Sequence, residues 1–312
     1  KRQGLSSVMD AGLEVSRIKL IDSLQQEGKL KMKINAMLSP MDSTYLDFMK
    51  DGVYKTDRLH VNSVKLYADG ALGSRGACMI EPYSDDPENY GLIMHPESYY
   101  REVMENAYNY NYQVNTHAIG DSGNRFTLDL YADYLKGPND RRWRVEHAQI
   151  VHPDDFSKFK EYNIIPSIQA THATSDMYWA GDRVETDRLK GAYAYKHLLA
   201  PNGWLPNGTD FPIENISPIY TFYASVVRKD LEGIPEGGFQ MENALSREEA
   251  LRSITIWAAK GSFEENEKGS VEAGKAADLV ILDQDLMTAG PSSIPATKVL
   301  YTIVNGEIVF KK

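Results

Sequence analysis

A chain of 312 residues with 34 Lys and Arg against 44 Asp and Glu has a formal net charge of −10, which repels phosphate backbones and anionic lipid surfaces and argues against a nucleic-acid partner. With 42% hydrophobic and 25% charged residues the composition is that of an ordinary globular protein and excludes collagen, coiled-coil and mucin-like chains. The single cysteine, Cys78, cannot form an internal disulfide or a cysteine zinc cage, so any metal must be held by His, Asp, Glu or Lys.

In chain order, short runs rich in β-branched residues alternate with segments of helical period. A strand over 4–10, a helix over 17–26 and a strand over 32–38 open the series. A strand over 61–68 follows, then a helix over 96–111 with Pro96 in its first turn and Tyr100, Val103, Met104, Ala107 and Tyr108 on one face. Strands over 114–117, 144–150 and 164–170 are separated by helices over 123–135 and 153–162, and a seventh strand is expected over 203–210. Such alternation predicts a parallel sheet with right-handed crossovers, most economically closed as a (β/α) barrel. Downstream, Ser246-Arg-Glu-Glu249 is a capping box that opens a helix to about Lys260. Residues 277–283 and 299–312 read as strands, the latter folding back at Asn305-Gly306. The division expected is a barrel over 1–264 and a small antiparallel appendage over 265–312.

No apolar run approaches the roughly 18 to 20 residues of a membrane helix, so no membrane contact is expected. The chain begins Lys1-Arg2-Gln3-Gly4, with neither a start methionine nor a signal-peptide pattern. A cytoplasmic location is the expectation, with periplasm and secretion left open.

Side chains at the C-terminal ends of parallel barrel strands face the mouth, where reactive groups collect. That rule selects Lys65, His117, His147 and Asp210. Singly, each has a plainer explanation: a hydrogen-bonded scaffold histidine, or an aspartate capping the next helix. Together, imidazoles and a carboxylate are the ligand set of a divalent ion such as zinc. Three further residues are candidates for contact with substrate. Arg75 either clamps an anionic group or locks its own glycine-containing loop, His172 follows the strand ending near Ala170, and Asp69 is a possible partner of Lys65.

The blocks around these residues run Val64-Lys-Leu-Tyr-Ala-Asp-Gly-Ala-Leu-Gly-Ser-Arg75, Thr116-His-Ala-Ile-Gly-Asp121, Glu146-His-Ala-Gln149, Gly208-Thr-Asp-Phe-Pro212 and Gly269 through Asp283. In that order they resemble the amidohydrolase superfamily, specifically its amidohydrolase-3 branch, which includes proteins similar to N-substituted formamide deformylase. The resemblance implies a metal-dependent (β/α)8 TIM-type barrel flanked by a β-sandwich, hydrolysing non-peptide carbon–nitrogen bonds of a small amide-type substrate with one or two divalent ions, zinc expected. By that likeness His117 and His147 are metal ligands, Asp210 is both ligand and catalytic proton carrier, and Lys65 is a carbamylated bridging ligand. Members also carry a His-x-His pair at the end of the first strand, and this chain has none. The strand over 4–10 resembles the family's second strand, so the expectation is a barrel lacking its first strand, with half of the sandwich. An open seam of that kind seeks a partner, and a homo-oligomer is a possible outcome. Two rivals remain: a catalytically impaired fragment working only within a larger assembly, and a two-lobed small-molecule binding protein.

Overall fold

The computed structural model describes residues 1–312. Seven strands form one sheet: β1 (Ser7–Leu13), β2 (Lys33–Leu38), β3 (Tyr54–Lys55), β4 (Leu59–Tyr67), β5 (Gln113–Ala118), β6 (Arg144–His147) and β7 (Ile165–Ser167). Six of them pair in parallel in the order β1-β2-β4-β5-β6-β7, and β3 pairs antiparallel with β4. The sheet curls into half a barrel. Helices Val15–Gln26, Glu97–Asn109 and Asp121–Leu135 form the crossovers β1 to β2, β4 to β5 and β5 to β6. Strand β4 is buried at every position except its last, the continuous burial of a strand covered on both faces.

Register decides which side chains enter the curl. Leu66, Thr116 and Val145 are neighbours across β4, β5 and β6. The Thr116 hydroxyl lies 2.7 Å from that of Tyr131 on helix Asp121–Leu135, so this row faces the helices. There it joins the core, in which Tyr131 and Trp143 are fully buried and meet edge to face at 5.0 Å. By alternation, the rows Lys65–Asn115–Arg144 and Tyr67–His117–Glu146 face into the curl. A barrel interior usually holds branched aliphatic side chains. Here it is polar: Arg144 Nε donates to Glu146 at 2.8 Å, and Arg144 Nη1 and Gln113 Nε2 donate to the Gly261 carbonyl at 3.1 and 3.0 Å.

The seventh parallel strand expected over 203–210 is reduced to one bridge, Ile168 to Asn207. Pro206 has no N–H to donate to a ladder, and the Asn207 side chain accepts from Ala170 N at 3.1 Å and donates to Ser225 Oγ at 3.0 Å. These side-chain bonds take the place of strand pairing. The helix expected from Ser246 has its capping box but splits into Arg247–Ser253 and Ile256–Gly261, because Thr255 (φ −128°, ψ −100°) leaves helical geometry.

Strands β8 (Leu279–Leu282), β9 (Val299–Val304) and β10 (Glu307–Lys311) make a separate antiparallel sheet in the order β10-β9-β8. Asn305 (φ 51°) and Gly306 (φ 77°) form the tight turn that an Asn-Gly pair favours. The sheet is tied to the half-barrel by the buried ion pair Lys33–Asp278 at 2.9 Å. Gly4 (φ +80°) also packs against it, since a Cβ there would lie 2.8 Å from Val280 Cγ2.

Candidate metal centre

The centre forms where β4, β5 and β6 end. His117 is the inward residue next to last in β5, and Lys65 lies two residues before the end of β4. Strict alternation would send His147 outward, because its neighbour Glu146 is the register partner of His117. Left-handed backbone at His147 (φ 75°) and Ala148 (φ 43°) ends β6 and turns the ring back, 4.5 Å from that of His117 between centroids. Asp210 is likewise left-handed (φ 52°), a conformation Asp tolerates better than most residues. Strained backbone of this kind costs of order 1–3 kcal/mol and clusters at functional sites.

One donor atom each from His147, His172 and Asp210 lies within 4.8 Å of the other two. His172 comes from helix Ala170–Asp176, which follows β7. Its Nε2 faces Asp210 Oδ2 at 3.4 Å and its Nδ1 faces Glu214 Oε1 at 3.3 Å. His117 lies outside this trio, against the His147 ring, with Nε2 at 3.6 Å from Asp69 Oδ1 and 3.4 Å from the Gly70 carbonyl. Lys65 is buried beneath, its ammonium 4.4 Å from the centre of the Tyr67 ring. The cleft over the centre is about 2100 Å³, with Tyr67, Leu72, Ile119, Trp179 and Phe211 among its lining residues.

Burial, reinforced by the Lys65 charge, lowers the His117 pKa to about 3. Burial, with His117 and Lys65 alongside, holds His147 well below the usual imidazole range. Burial also acts to lower His172, but its bonds to Asp210 and Glu214 outweigh that and raise it to about 9. Lys65 falls to about 8, burial prevailing over the attraction of Glu146 and Asp210.

The donors suit a divalent ion. A metal-ligating imidazole must be neutral, as His117 and His147 are held to be, and His147 Nδ1 is buried without a hydrogen-bond partner. Asp210 would add oxygen, and His172, expected at the substrate, lies instead among the candidate donors and would offer a further nitrogen once it gives up its proton. Imidazole and carboxylate together are a borderline-hard set suited to zinc and its neighbours.

Two expected substrate contacts are corrected. Asp69 is 1% exposed and accepts from Cys78 N at 2.8 Å, Ile119 N at 3.0 Å and Gly120 N at 2.8 Å, so its oxygens brace two loops rather than face the cleft. Gly123 makes room for it, a Cβ there falling 2.4 Å from Asp69 Oδ2. Burial raises the Asp69 pKa to about 7 against those three backbone bonds. Arg75 spends its fork on Asp85 at 3.0 and 2.9 Å, and Arg183 joins the same carboxylate. Of the two expectations for Arg75, this geometry is loop locking.

Sequence reasoning missed Glu214 and its partner Ser175, whose hydroxyl donates to Glu214 Oε1 at 2.6 Å. The one signal available was an acid four residues beyond Asp210.

Among known proteins, the chain is 33% identical over 269 residues to Protein LONG AFTER FAR-RED 3 of Arabidopsis thaliana, covering 84% of this chain and 45% of that protein. It is 24% identical to the N-substituted formamide deformylase of Arthrobacter pascens, covering 81% of this chain and 46% of that one. An uncharacterized metal-dependent hydrolase from Pyrococcus furiosus superposes with a TM-score of 0.78 at 32% identity, over 90% of this chain and 56% of that one. The chain thus spans about half the length of the curated relatives it matches. The model of the amidohydrolase family matches residues 1–310, and the chain belongs to that family.

Proposed function

We propose that this chain contributes the centre of a metal-dependent hydrolase that cleaves non-peptide, amide-type carbon–nitrogen bonds in small molecules. The observation that carries this is the meeting of His147, His172 and Asp210 donor atoms within 4.8 Å, beside a second neutral imidazole at His117. His147, His172 and Asp210 would hold a divalent ion, zinc by the donor set, whose Lewis acidity would acidify water and polarise a carbonyl. Asp210 is the group that takes up the proton at Oδ and returns it to the departing nitrogen, a role suited to a mouth-facing carboxylate. Without an ion, His172 Nε2 pairs with that carboxylate at 3.4 Å and keeps it aimed at the centre. Lys65, buried and with its pKa lowered to about 8, has a substantial neutral fraction near that pH, the form that takes up carbon dioxide as a carbamate. Tyr67, Trp179 and Phe211 shape the cleft for an apolar portion of the substrate.

We also propose that the half-barrel completes a TIM-type barrel over residues 1–264, with residues 265–312 as part of a β-sandwich. Strand β1 pairs on one side only, and the opposite end of the curl is the single bridge at Asn207. Both ends leave backbone groups free to pair with a further segment or a second copy. That open sheet favours a second reading, in which activity belongs to a larger assembly.

Metal analysis of protein purified without chelator, paired with turnover of a panel of formamides, amides and cyclic amides, tests the proposal. Bound zinc or a related ion, and hydrolysis that disappears with chelation and returns with the ion, support it. Protein free of divalent metal that fails to take any up contradicts it.

A further inference from the structure

We infer that Glu214 is a positioning residue that holds the His172 ring with its Nε2 turned toward the centre, an inference whose catalytic consequence rests on the hydrolase reading above. The loop after Asp210 presents two carboxylates to one imidazole: Asp210 faces Nε2 at 3.4 Å and Glu214 faces Nδ1 at 3.3 Å. A half-turn of the ring would put carbon where each nitrogen now lies and leave Glu214, whose side chain is 18% exposed, without that partner. Losing the partner of a partly buried charged group carries a cost, which favours one orientation of the ring.

Glu214 is itself fixed. Its Oε1 accepts from the Ser175 hydroxyl at 2.6 Å, and Ser175 lies three residues after His172 on helix Ala170–Asp176, hence on the same side. The end of that helix is anchored separately, because Asp176 Oδ2 accepts from Tyr193 at 2.8 Å and from Gln149 Nε2 at 3.2 Å. One carboxylate therefore reads the positions of two side chains on a helix that has little freedom to shift. An outer carboxylate on the far nitrogen of a ligating histidine sets the ring's direction and its strength as a donor, and its loss typically weakens metal binding by about 10- to 100-fold.

The test uses the whole chain labelled with 15N-histidine, first without metal and then titrated with cobalt(II) alone, in the unmodified protein, Glu214→Gln and Glu214→Ala. Glutamine keeps an acceptor for Nδ1–H, and alanine removes it. Without metal, the Nδ1–H signal of His172, assigned by its loss in His172→Gln, should be protected from solvent exchange in the unmodified protein and in Glu214→Gln and lost in Glu214→Ala. Cobalt affinity should fall about 10- to 100-fold in Glu214→Ala with an altered visible spectrum, and stay within about threefold in Glu214→Gln. A protected Nδ1–H in the alanine variant overturns the inference, as does cobalt binding unchanged by alanine or weakened equally by glutamine. If the alanine variant does not fold, Glu214→Met, of similar volume and without an acceptor, takes its place. Failure of the unmodified protein to bind cobalt defeats the hydrolase reading instead, and the metal-free exchange signal then upholds or overturns the orientation by itself.

Discussion

The strand-borne and helix-borne parts of the centre hold their imidazoles in opposite states. His147 and His172 are both buried, with ring centroids 5.8 Å apart. His147, beside His117 and above Lys65, has no carboxylate within ion-pair distance and is kept neutral. His172 sits between Asp210 and Glu214 and is kept protonated up to about pH 9. Burial is common to the two, so the partner decides the charge. The strands supply neutral donors ready for a cation, the loop beginning at Asp210 supplies carboxylates, and helix Ala170–Asp176 supplies the histidine between them.

The most severe way to break this division is His147→Ala. It removes the imidazole shared by the trio and by the His117 contact, and it should abolish divalent metal uptake as measured by calorimetry and elemental analysis. Unchanged stoichiometry contradicts the strand-borne role. Asp210→Asn should lower turnover of an amide substrate by about 10²-fold or more while leaving the strand imidazoles in place, the usual cost of losing general acid–base catalysis. A near-normal rate removes Asp210 from proton transfer. Asp69→Ala leaves three backbone N–H groups, two of them buried, without an acceptor and should cost about 3 kcal/mol or more of folding stability by denaturant titration. A loss in rate with stability unchanged would instead return Asp69 to the substrate. Intact mass spectrometry in bicarbonate buffer should show one added carbon dioxide, absent in Lys65→Ala; a bare ammonium with full metal occupancy contradicts bridging. Arg75→Ala should be mildest, because its pair with Asp85 is exposed to solvent and screened, and turnover of neutral substrates should be unaffected. A large selective loss for anionic substrates would show the clamp that the present geometry assigns to loop locking.

What could be read in advance follows the same divide. Lys65 and His117 were legible because strand alternation and the end-of-strand rule place them without knowledge of any loop. His147 was selected by that rule, yet alternation alone would have turned it outward; the left-handed turn that brings it in has no signature in Glu146-His-Ala-Gln149. The expected seventh strand failed at Pro206 and Asn207, where side-chain bonds replace the ladder. Helices Ala180–Leu189 and Pro218–Val227 were not foreseen. The first is weakly amphipathic and kinked at Glu185, and the second is apolar nearly all round, so neither shows a stripe of helical period. Glu214 was hidden because its role depends on a helix and a loop 42 residues apart in sequence meeting at one ring.

Diffraction from crystals soaked in zinc, recorded on both sides of the metal absorption edge, tests the convergence most directly. An anomalous peak at about 2.0–2.2 Å from a His147 ring nitrogen and an Asp210 oxygen is the result expected. A fully occupied zinc bound elsewhere, with the His147 ring unligated and Asp210 still on His172, would contradict it.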